Sequence, residues 1–403
     1  MLPDYDCVVV GAGLVGAAQA LALSQQNLKV VVIEARQPVA GVVGGDVRGL
    51  ALAPSSRQAI EALGLWPRLV GQITLIRHIH VSDQGRFGFT RLSADDVDID
   101  ALGYVCPADH LLQVFESALI EQCDIRWGTK LVSIDTSAEF ARIRLHDGSG
   151  SHDITARLVI GADGMQSRVR ESLGAVVHQR DYQQHAVVAN VDLQNPVSET
   201  AFERFTPSGS LALLPLTGGR HVVVRCCDDS DLERVLQLED NQYLAELESG
   251  FGHRFGVLSN VSQRRAHKLV LQWADRVVQH RIALIGAAAN TIHPNGAQGL
   301  NLGLRDAVAM ALCIGRVQAC GGDIGDIACL SEFAAKRSVD RRNVMRFTDG
   351  MAQVFSSKLP LIGVLRDAAM LATDICPLAK RSLIRRAAGL FTGPTLTDLE
   401  VGR

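Results

Sequence analysis

Three stretches of the chain hold residue types at spacings suited to chemistry. The first is Gly11-Ala12-Gly13-Leu14-Val15-Gly16, followed 18 residues later by Glu34. In a strand-to-helix turn the first glycine permits the bend, the second lets backbone approach a pyrophosphate, and the third lets helix and strand pack closely. The pyrophosphate then meets unsatisfied N–H groups at the positive end of the helix. Glu34 stands at the offset of a carboxylate that binds an adenosine ribose, and it disfavours a 2′-phosphate by like charge. The second stretch is Asp163-Gly164-Met165-Gln166-Ser167-Arg168-Val169-Arg170. Asp163 ends an apolar run, where a carboxylate binds hydroxyls or loop N–H groups; the plain alternative is a common Asp-Gly turn whose loop Ser167 and Arg170 anchor. The third runs from Gly286 to Gly303 and contains His293-Pro294-Asn295-Gly296-Ala297-Gln298-Gly299. Its Pro294–Gly299 loop has backbone able to pass close to a flat ring, and the helix beginning near Gly299 points its positive end there.

These residues need rigid elements to hold them. Cys7-Val8-Val9-Val10 is a short apolar, β-branched run that reads as a buried parallel strand. An Ala/Leu-rich helix, a polar turn around Gln25–Asn27 and a second strand, Lys29–Ile33, follow in the order the glycine motif requires. Residues 37–47 read as loop and 49–66 as helix. Ile73, Leu75, Ile79 and Val81 alternate with polar neighbours as a strand does, turning at Asp83-Gln84-Gly85 and returning through Phe87 and Phe89. Residues 104–123 read as helix, 130–156 as two β runs around His146–Gly150, and Leu158–Gly161 as another buried strand. From His185 to Asp228 strands follow one another without helices, implying an antiparallel sheet separate from the parallel one. The parallel pattern returns at Arg281–Ile285, and the chain is helical in composition from about Ser331.

The expected fold class is α/β. A Rossmann-like dinucleotide-binding domain with a parallel sheet (1–72, 97–180 and 269–350) is interrupted by a mostly antiparallel β substrate domain (73–96 and 181–268) and followed by a helical C-terminus (351–403). A ligand site is expected in the crevice between the two domains.

Composition excludes several function classes. With 47% hydrophobic and 21% charged residues the chain is an ordinary globular one, and a net charge of −3 without a basic run gives nucleic-acid binding no electrostatic support. Nine cysteines, an odd number with no CxxC spacing, read as reduced core residues of a cytoplasmic protein. The apolar N-terminus lacks the basic flank of a signal peptide, and no run of about 20 apolar residues suggests a spanning helix. His78 and His80 share a strand face, but no third ligand stands at metal-site spacing, so no metal is expected.

The three motifs, in this order, resemble the single-component FAD-dependent aromatic hydroxylases, the group that includes p-hydroxybenzoate hydroxylase. The resemblance covers about residues 5–350. Within that group, Ala201-Phe202-Glu203-Arg204-Phe205-Thr206 with Leu211–Leu216 is similar to the ubiquinone-biosynthesis hydroxylases. The resemblance implies FAD as cofactor, NAD(P)H as co-substrate, and hydroxylation of a prenylated phenol by O₂ through a C4a-hydroperoxyflavin. It carries FAD contacts to Gly11, Gly13, Gly16, Glu34, Arg48, Gln113, Asp163, Gly164, Ala287, Gly296, Ala297, Gln298, Gly299, Leu300 and Asn301. His293 and Pro294 become the candidate catalytic positions, with loop packing as the alternative for His293. For Arg48 and Gln113 a structural role is the alternative.

Three positions depart from the pattern the resemblance implies. Ala287 stands where the group usually has an Asp that binds flavin ribityl hydroxyls, Ala297 where it favours Gly, and Arg225 where close relatives often have Trp. Two other functions therefore stay open. One is a same-fold hydroxylase of a small soluble aromatic; the other is a non-catalytic member of a ubiquinone-biosynthesis assembly with a weakened FAD site. Leu359–Ala379 is apolar and is followed by Lys380, Arg381, Arg385 and Arg386. It reads either as a peripheral contact at the inner face of the membrane, or with a protein partner, or as a packed C-terminal helix.

Overall fold

The computed structural model describes residues 2–37, 48–206, 209–292, 298–356 and 360–388. His293, Pro294, Gly296 and Ala297 lie outside the described residues. The helices used below are α1 (Leu14–Ser24), α2 (Pro54–Ala62), α3 (Ala108–Gln122), α4 (Arg168–Ser172), α5 (Leu232–Gln237), α6 (Asp240–Phe251), α7 (Gln298–Ala319), α8 (Ile327–Ser356), α9 (Pro360–Ile375) and α10 (Pro377–Ala387).

Strand Tyr5–Val10 lies at the centre of the first sheet, parallel to Gly150–Gly161 on one side and Val30–Glu34 on the other. Asp124–Trp127 and Ile282–Leu284 extend it in parallel at either flank. Its apolar run is continuous because both faces are covered. Cys7 and Val9 face a core that α1, α3, α7 and α8 supply through Leu21, Phe115, Met310 and Phe333. Val8 and Val10 face the antiparallel meander of Lys130–Thr136 and Ala141–Asp147, through Ile143 and Leu145.

The second sheet has nine strands and is mostly antiparallel, built around the 17-residue strand Val177–Leu193. Period-2 alternation divides its faces. Val187, Leu211, Leu213 and Val223 are buried under α5 and α6 against Val235, Tyr243, Leu247 and Phe251. Ala201, Glu203, Ala212, Leu214 and Val224 point the other way, toward the first domain. The third motif reaches the second sheet directly, since Asn290–Thr291 pairs with its strand Arg265–Ala274.

A small third sheet, formed by Gly49–Leu52, Gly103–Pro107 and Thr74–Ile76, corrects two sequence expectations. Gly49–Leu52 is a strand and not the start of a helix; α2 begins only at Pro54, whose fixed φ suits a first helical turn. Tyr104–Cys106 is likewise strand, and α3 starts only after Pro107. In both places apolar residues are shared between a strand and the helix behind it, so composition reads as one long helix. The exposure of Cys320 and Cys376 corrects the reading of all nine cysteines as core.

The C-terminal helices close over the second sheet. α9 lies on strand Phe89–Ser93, where Thr90 donates its hydroxyl to the Met370 carbonyl at 2.7 Å. α10 buries Ile384 with Leu92, Leu102 and Val105. Among the described residues no helix is long and apolar enough to cross a membrane.

Candidate functional site

The site is assembled from the glycine turn outward. Gly11 has φ +102°, and a Cβ there would stand 2.5 Å from the Ala162 carbonyl oxygen, so only glycine fits. A Cβ on Gly16 would collide with the Gly11 carbonyl, which is how α1 comes so close to the strand before it. Gly13 differs from both. Its φ is −67° and a Cβ would meet nothing within 4 Å, so the chain itself does not demand glycine there. Open space over a glycine at the mouth of a helix is a cradle for a ligand's phosphates.

Glu34 is 8% exposed at the end of its strand. One carboxylate oxygen accepts the Ala12 N–H of the glycine turn at 2.7 Å, and the other accepts the Arg36 N–H at 2.9 Å. The Arg36 side chain reaches Glu116 on α3 at 3.4 Å. Gln113, one helical turn before Glu116, therefore stands on the same side of α3 and is exposed. Arg48 accepts the Ala108 N–H at the start of α3 through its carbonyl, which places it at the same helix. Arg36 was not singled out in the sequence; its only signal there is its place two residues after Glu34.

Asp163 packs against Gly11, its Cα 2.9 Å from where a Cβ would stand. One oxygen caps α4 by accepting the N–H groups of Arg168 and Val169 at 2.7 and 3.2 Å. The other is buried and has no hydrogen-bond partner among the described residues. A buried carboxylate oxygen left unpaired is costly unless a ligand supplies the donor. Gly164, at φ +82° in open space, carries the chain past it. Ser167 and Arg170 anchor the loop: Arg170 is buried and donates to the Met165 carbonyl at 2.7 Å and to the Ala288 carbonyl at 3.0 Å. The second and third motifs are thus tied together directly.

In the third motif Gly286–Ala288 forms a single 3-10 turn, and Ala287 is exposed on it. Val15 of α1 fills the space beside both Gly286 and Gly303, and Gln26 donates to the Ala311 carbonyl at 3.1 Å. These contacts make α1 and α7 parallel, so both positive ends open on one edge of the first sheet. Gln298 and Asn301 are buried in the first turn of α7, where Gly299 and Leu300 are more open. Asn301 accepts from the Ala53 N–H and the Ser56 hydroxyl at 2.8 and 2.7 Å and donates to the Ala51 carbonyl at 3.0 Å. Its side chain fastens α7 to the third sheet.

Behind this edge lies a buried ionic cluster. Asp306 accepts from Arg337 at 2.7 Å, pairs with Arg341 at 3.0 Å and accepts the Gly286 N–H at 3.3 Å. Arg305 donates to Asp340 at 3.0 Å, and Arg337 pairs with Asp340 at 2.7 Å. Burial alone would raise the Asp306 carboxyl, but Arg341 and Arg337 outweigh it and hold it below its ordinary value. Among the described residues three guanidiniums stand against two carboxylates in this cluster, one positive charge in excess. His80, by contrast, is enclosed by the Phe89 and Phe202 rings, and burial lowers its pKa.

An open glycine at a helix start, a buried carboxylate at the end of the second strand, a buried oxygen with no partner among the described residues, and two helix starts at one sheet edge fit a dinucleotide cofactor. A family model described as FAD binding domain matches residues 4–328. The chain belongs to this FAD-binding family. Ubiquinone hydroxylase UbiL of Rhodospirillum rubrum is 33% identical over 394 residues, covering 96% of this chain and 91% of the relative. The 3-demethoxyubiquinol 3-hydroxylase of Escherichia coli is 28% identical, covering 96% and 98%. The crystal structure of p-nitrophenol 4-monooxygenase PnpA from Pseudomonas putida shares the fold, with TM-score 0.78 at 18% identity over 96% of this chain and 99% of that one. Within the FAD-binding family, then, the protein is an FAD-dependent monooxygenase.

Proposed function

We propose that the protein hydroxylates a prenylated phenol in ubiquinone biosynthesis, with NAD(P)H as reductant and O₂ as oxidant. One observation carries the reading. The glycine turn, Asp163 and the start of α7 meet at one edge of the first sheet, where Leu302 of α7 packs against Leu271 of the second sheet and Val222 reaches the position of Gly49. The names of the relatives in ubiquinone metabolism support the pathway.

In this reading Gly13 and the start of α1 hold the pyrophosphate, Glu34 the ribose, and Asp163 contributes its unpaired oxygen. Bound FAD supplies the hydride acceptor and the oxygen-activating ring. The start of α7, with the excess positive charge of the Arg305–Arg337–Arg341 cluster behind it, favours negative charge on that ring. Ala212, Leu214, Val222 and Val224 exclude water from the reacting face and accept an apolar substrate. His293 and Pro294 remain the proposed catalytic positions, and Gly296, Ala297, Gln298, Gly299 and Leu300 the proposed backbone around the ring. Among the described residues no second glycine-turn βαβ unit stands ready for NAD(P)H, which is proposed to reach the ring from solvent.

A peripheral contact with the inner face of the membrane is part of the proposal. α9 buries Arg366 and Asp367, keeps Asp374 partly buried, and turns apolar residues outward along one stripe. Val364 and Leu365 are 59% and 60% exposed, and Ile375 and Leu378 both 78%. Ala368, Ala369, Ala372 and Ala379 complete the stripe, and Arg381, Arg385 and Arg386 border it. Such a stripe suits the interface from which a prenyl-tailed substrate is drawn.

The test is a titration of apoprotein with FAD, followed by NAD(P)H oxidation with and without a prenylated phenol. Tight binding and a product heavier by one oxygen are expected. Failure to bind FAD in the parent chain, with binding in Ala287→Asp, would replace this reading by the non-catalytic one. Turnover of small phenols but not of prenylated ones would assign a soluble substrate.

A further inference from the structure

Glu203 lies on strand Thr200–Thr206, paired with Ala212 on one side and Val81 on the other. Its neighbours in the strand divide between the faces. Phe202 packs outward against Phe255 under α6, while Ala201 packs inward with Ile76, Val105 and Ile384. Glu203 has the parity of Ala201. Along its row stand Val81, Ala212, Val224 and Val188, so the carboxyl sits in an aliphatic wall. That wall is incompletely covered: Val81, Glu203, Ala212, Leu214 and Val224 are partly accessible where their outward neighbours Leu211, Leu213 and Val223 are buried. At its edge Val222 meets the position of Gly49, next to Arg48. The wall therefore looks onto the crevice above the cofactor edge.

A carboxyl in such a place without a cation is unusual, because surrounding apolar groups penalise its charge. Among the described residues the Ser210 hydroxyl is its hydrogen-bond partner, and no ion pair involves it. The charged and titratable groups around it are few. Cys226, on the same face, is a buried thiol pushed up to about 11 and so neutral. One register step further, Phe205 is paired with Asp83, whose carboxylate is taken up by Arg366 and Arg86, and Asp367 by Arg86. α6 and its acidic residues lie behind the opposite face.

We propose that Glu203 is the base that takes the phenolic proton of the substrate during hydroxylation. The inference rests on the hydroxylase reading above. The phenol O–H bond breaks, its proton passes to a Glu203 carboxylate oxygen, and the bonding pair enters the ring, which becomes the stronger nucleophile toward the activated oxygen. The hydroxylated carbon then loses its hydrogen as a proton, which goes to the second oxygen atom of O₂ as that atom leaves as water; the ring regains aromaticity, Glu203 returns its proton to the ring oxygen, and it turns over unchanged. Apolar surroundings push the carboxyl up to about 7, against the lowering effect of Ser210, which brings it close to the working pH of a base.

The test compares FAD-loaded parent, Glu203→Gln and Glu203→Asp on a 2-prenylphenol and on its ring-fluorinated analogues, whose hydroxyls ionise at lower pH. Glu203→Gln is expected to lose roughly 100-fold in product formation on the least acidic phenol, the lower end of a general base's share. KM should stay within about threefold, and the loss should shrink toward none on the analogue already ionised in solution. Glu203→Asp should keep part of the rate with a displaced pH midpoint. An equal loss on every phenol, or no loss on the least acidic one, would overturn the inference. If Glu203→Gln does not fold, the same comparison of phenols with Glu203→Asp decides it, because only a base shows a deficit that depends on phenol acidity. If the parent hydroxylates none of the phenols, the hydroxylase reading fails first and takes the inference with it.

Discussion

Gly13 and Gly16 stand three residues apart and have opposite reasons for being glycine. Gly16 is required by the chain, since a methyl group there strikes the Gly11 carbonyl. Gly13 has ordinary backbone angles and open space, so its reason lies outside the chain. Gly16→Ala should cost about 1–3 kcal/mol or more from overpacking and lower the apoprotein Tm. Gly13→Ala should cost at most about 1 kcal/mol as a poorer cap, yet weaken FAD in a fluorescence titration far more than it lowers Tm. Ala287→Asp should tighten FAD by roughly tenfold, the worth of one added hydrogen bond. Glu203 gives a separate signature in pH. Its folded pKa of about 7 lies above the ordinary 4.5, so the folded chain keeps a proton that the unfolded chain releases. Stability from this group is full below about pH 4.5 and drains as pH rises to about 7. The Tm of Glu203→Gln relative to the parent should therefore climb between pH 5 and pH 8.

Among the elements, α7 and α8 carry the densest buried charge. Asp306 has the opposite sign to Glu203: its carboxyl is held below the ordinary 3.8, so its contribution is present at neutral pH and is lost as pH falls through the lowered value. Asp306→Asn should cost about 3–5 kcal/mol at pH 7, because it leaves Arg337 and Arg341 short of a partner. In urea titrations that deficit should narrow below pH 4. α9 inverts the usual helix, with ions inside and apolar residues outside. Ile375→Glu combined with Leu378→Glu should reduce sedimentation with anionic vesicles several-fold while leaving FAD binding unchanged. The sequence carries α9's apolar content but not its orientation, because Arg366 finds Asp83 in a hairpin 283 residues away. Long-range ion pairs leave no local pattern to read.

At the scale of the molecule, what was legible followed local rules. The glycine turn, the strand that ends at Glu34 and the return of a parallel strand at Ile282 each announce themselves within about thirty residues. The three-stranded sheet did not, since its strands Gly49–Leu52 and Gly103–Pro107 are short and each runs directly into a helix. Nor did the inward parity of Glu203, which is set by which face α5 and α6 cover. The site residues Gly11, Asp163 and Gly286 are brought together by packing of the three motifs, which the sequence could order but not dock.

The parallel pairing of α1 with α7 also has a history in time. α7, which covers one flank of α1, begins 274 residues after α1 ends, from Ser24 to Gln298, so it leaves the ribosome long after that flank. At about 5–20 residues per second, that apolar flank waits roughly 14–55 seconds for its partner. Throughout that interval the nascent chain presents the Ala/Leu surface of α1 to other chains. Slower initiation or an added chaperone should thus raise the yield of dispersed protein more than any change to the finished surface, as a comparison of supernatant and pellet would record. The most hazardous moment for this flavoprotein comes before it has a flavin site at all.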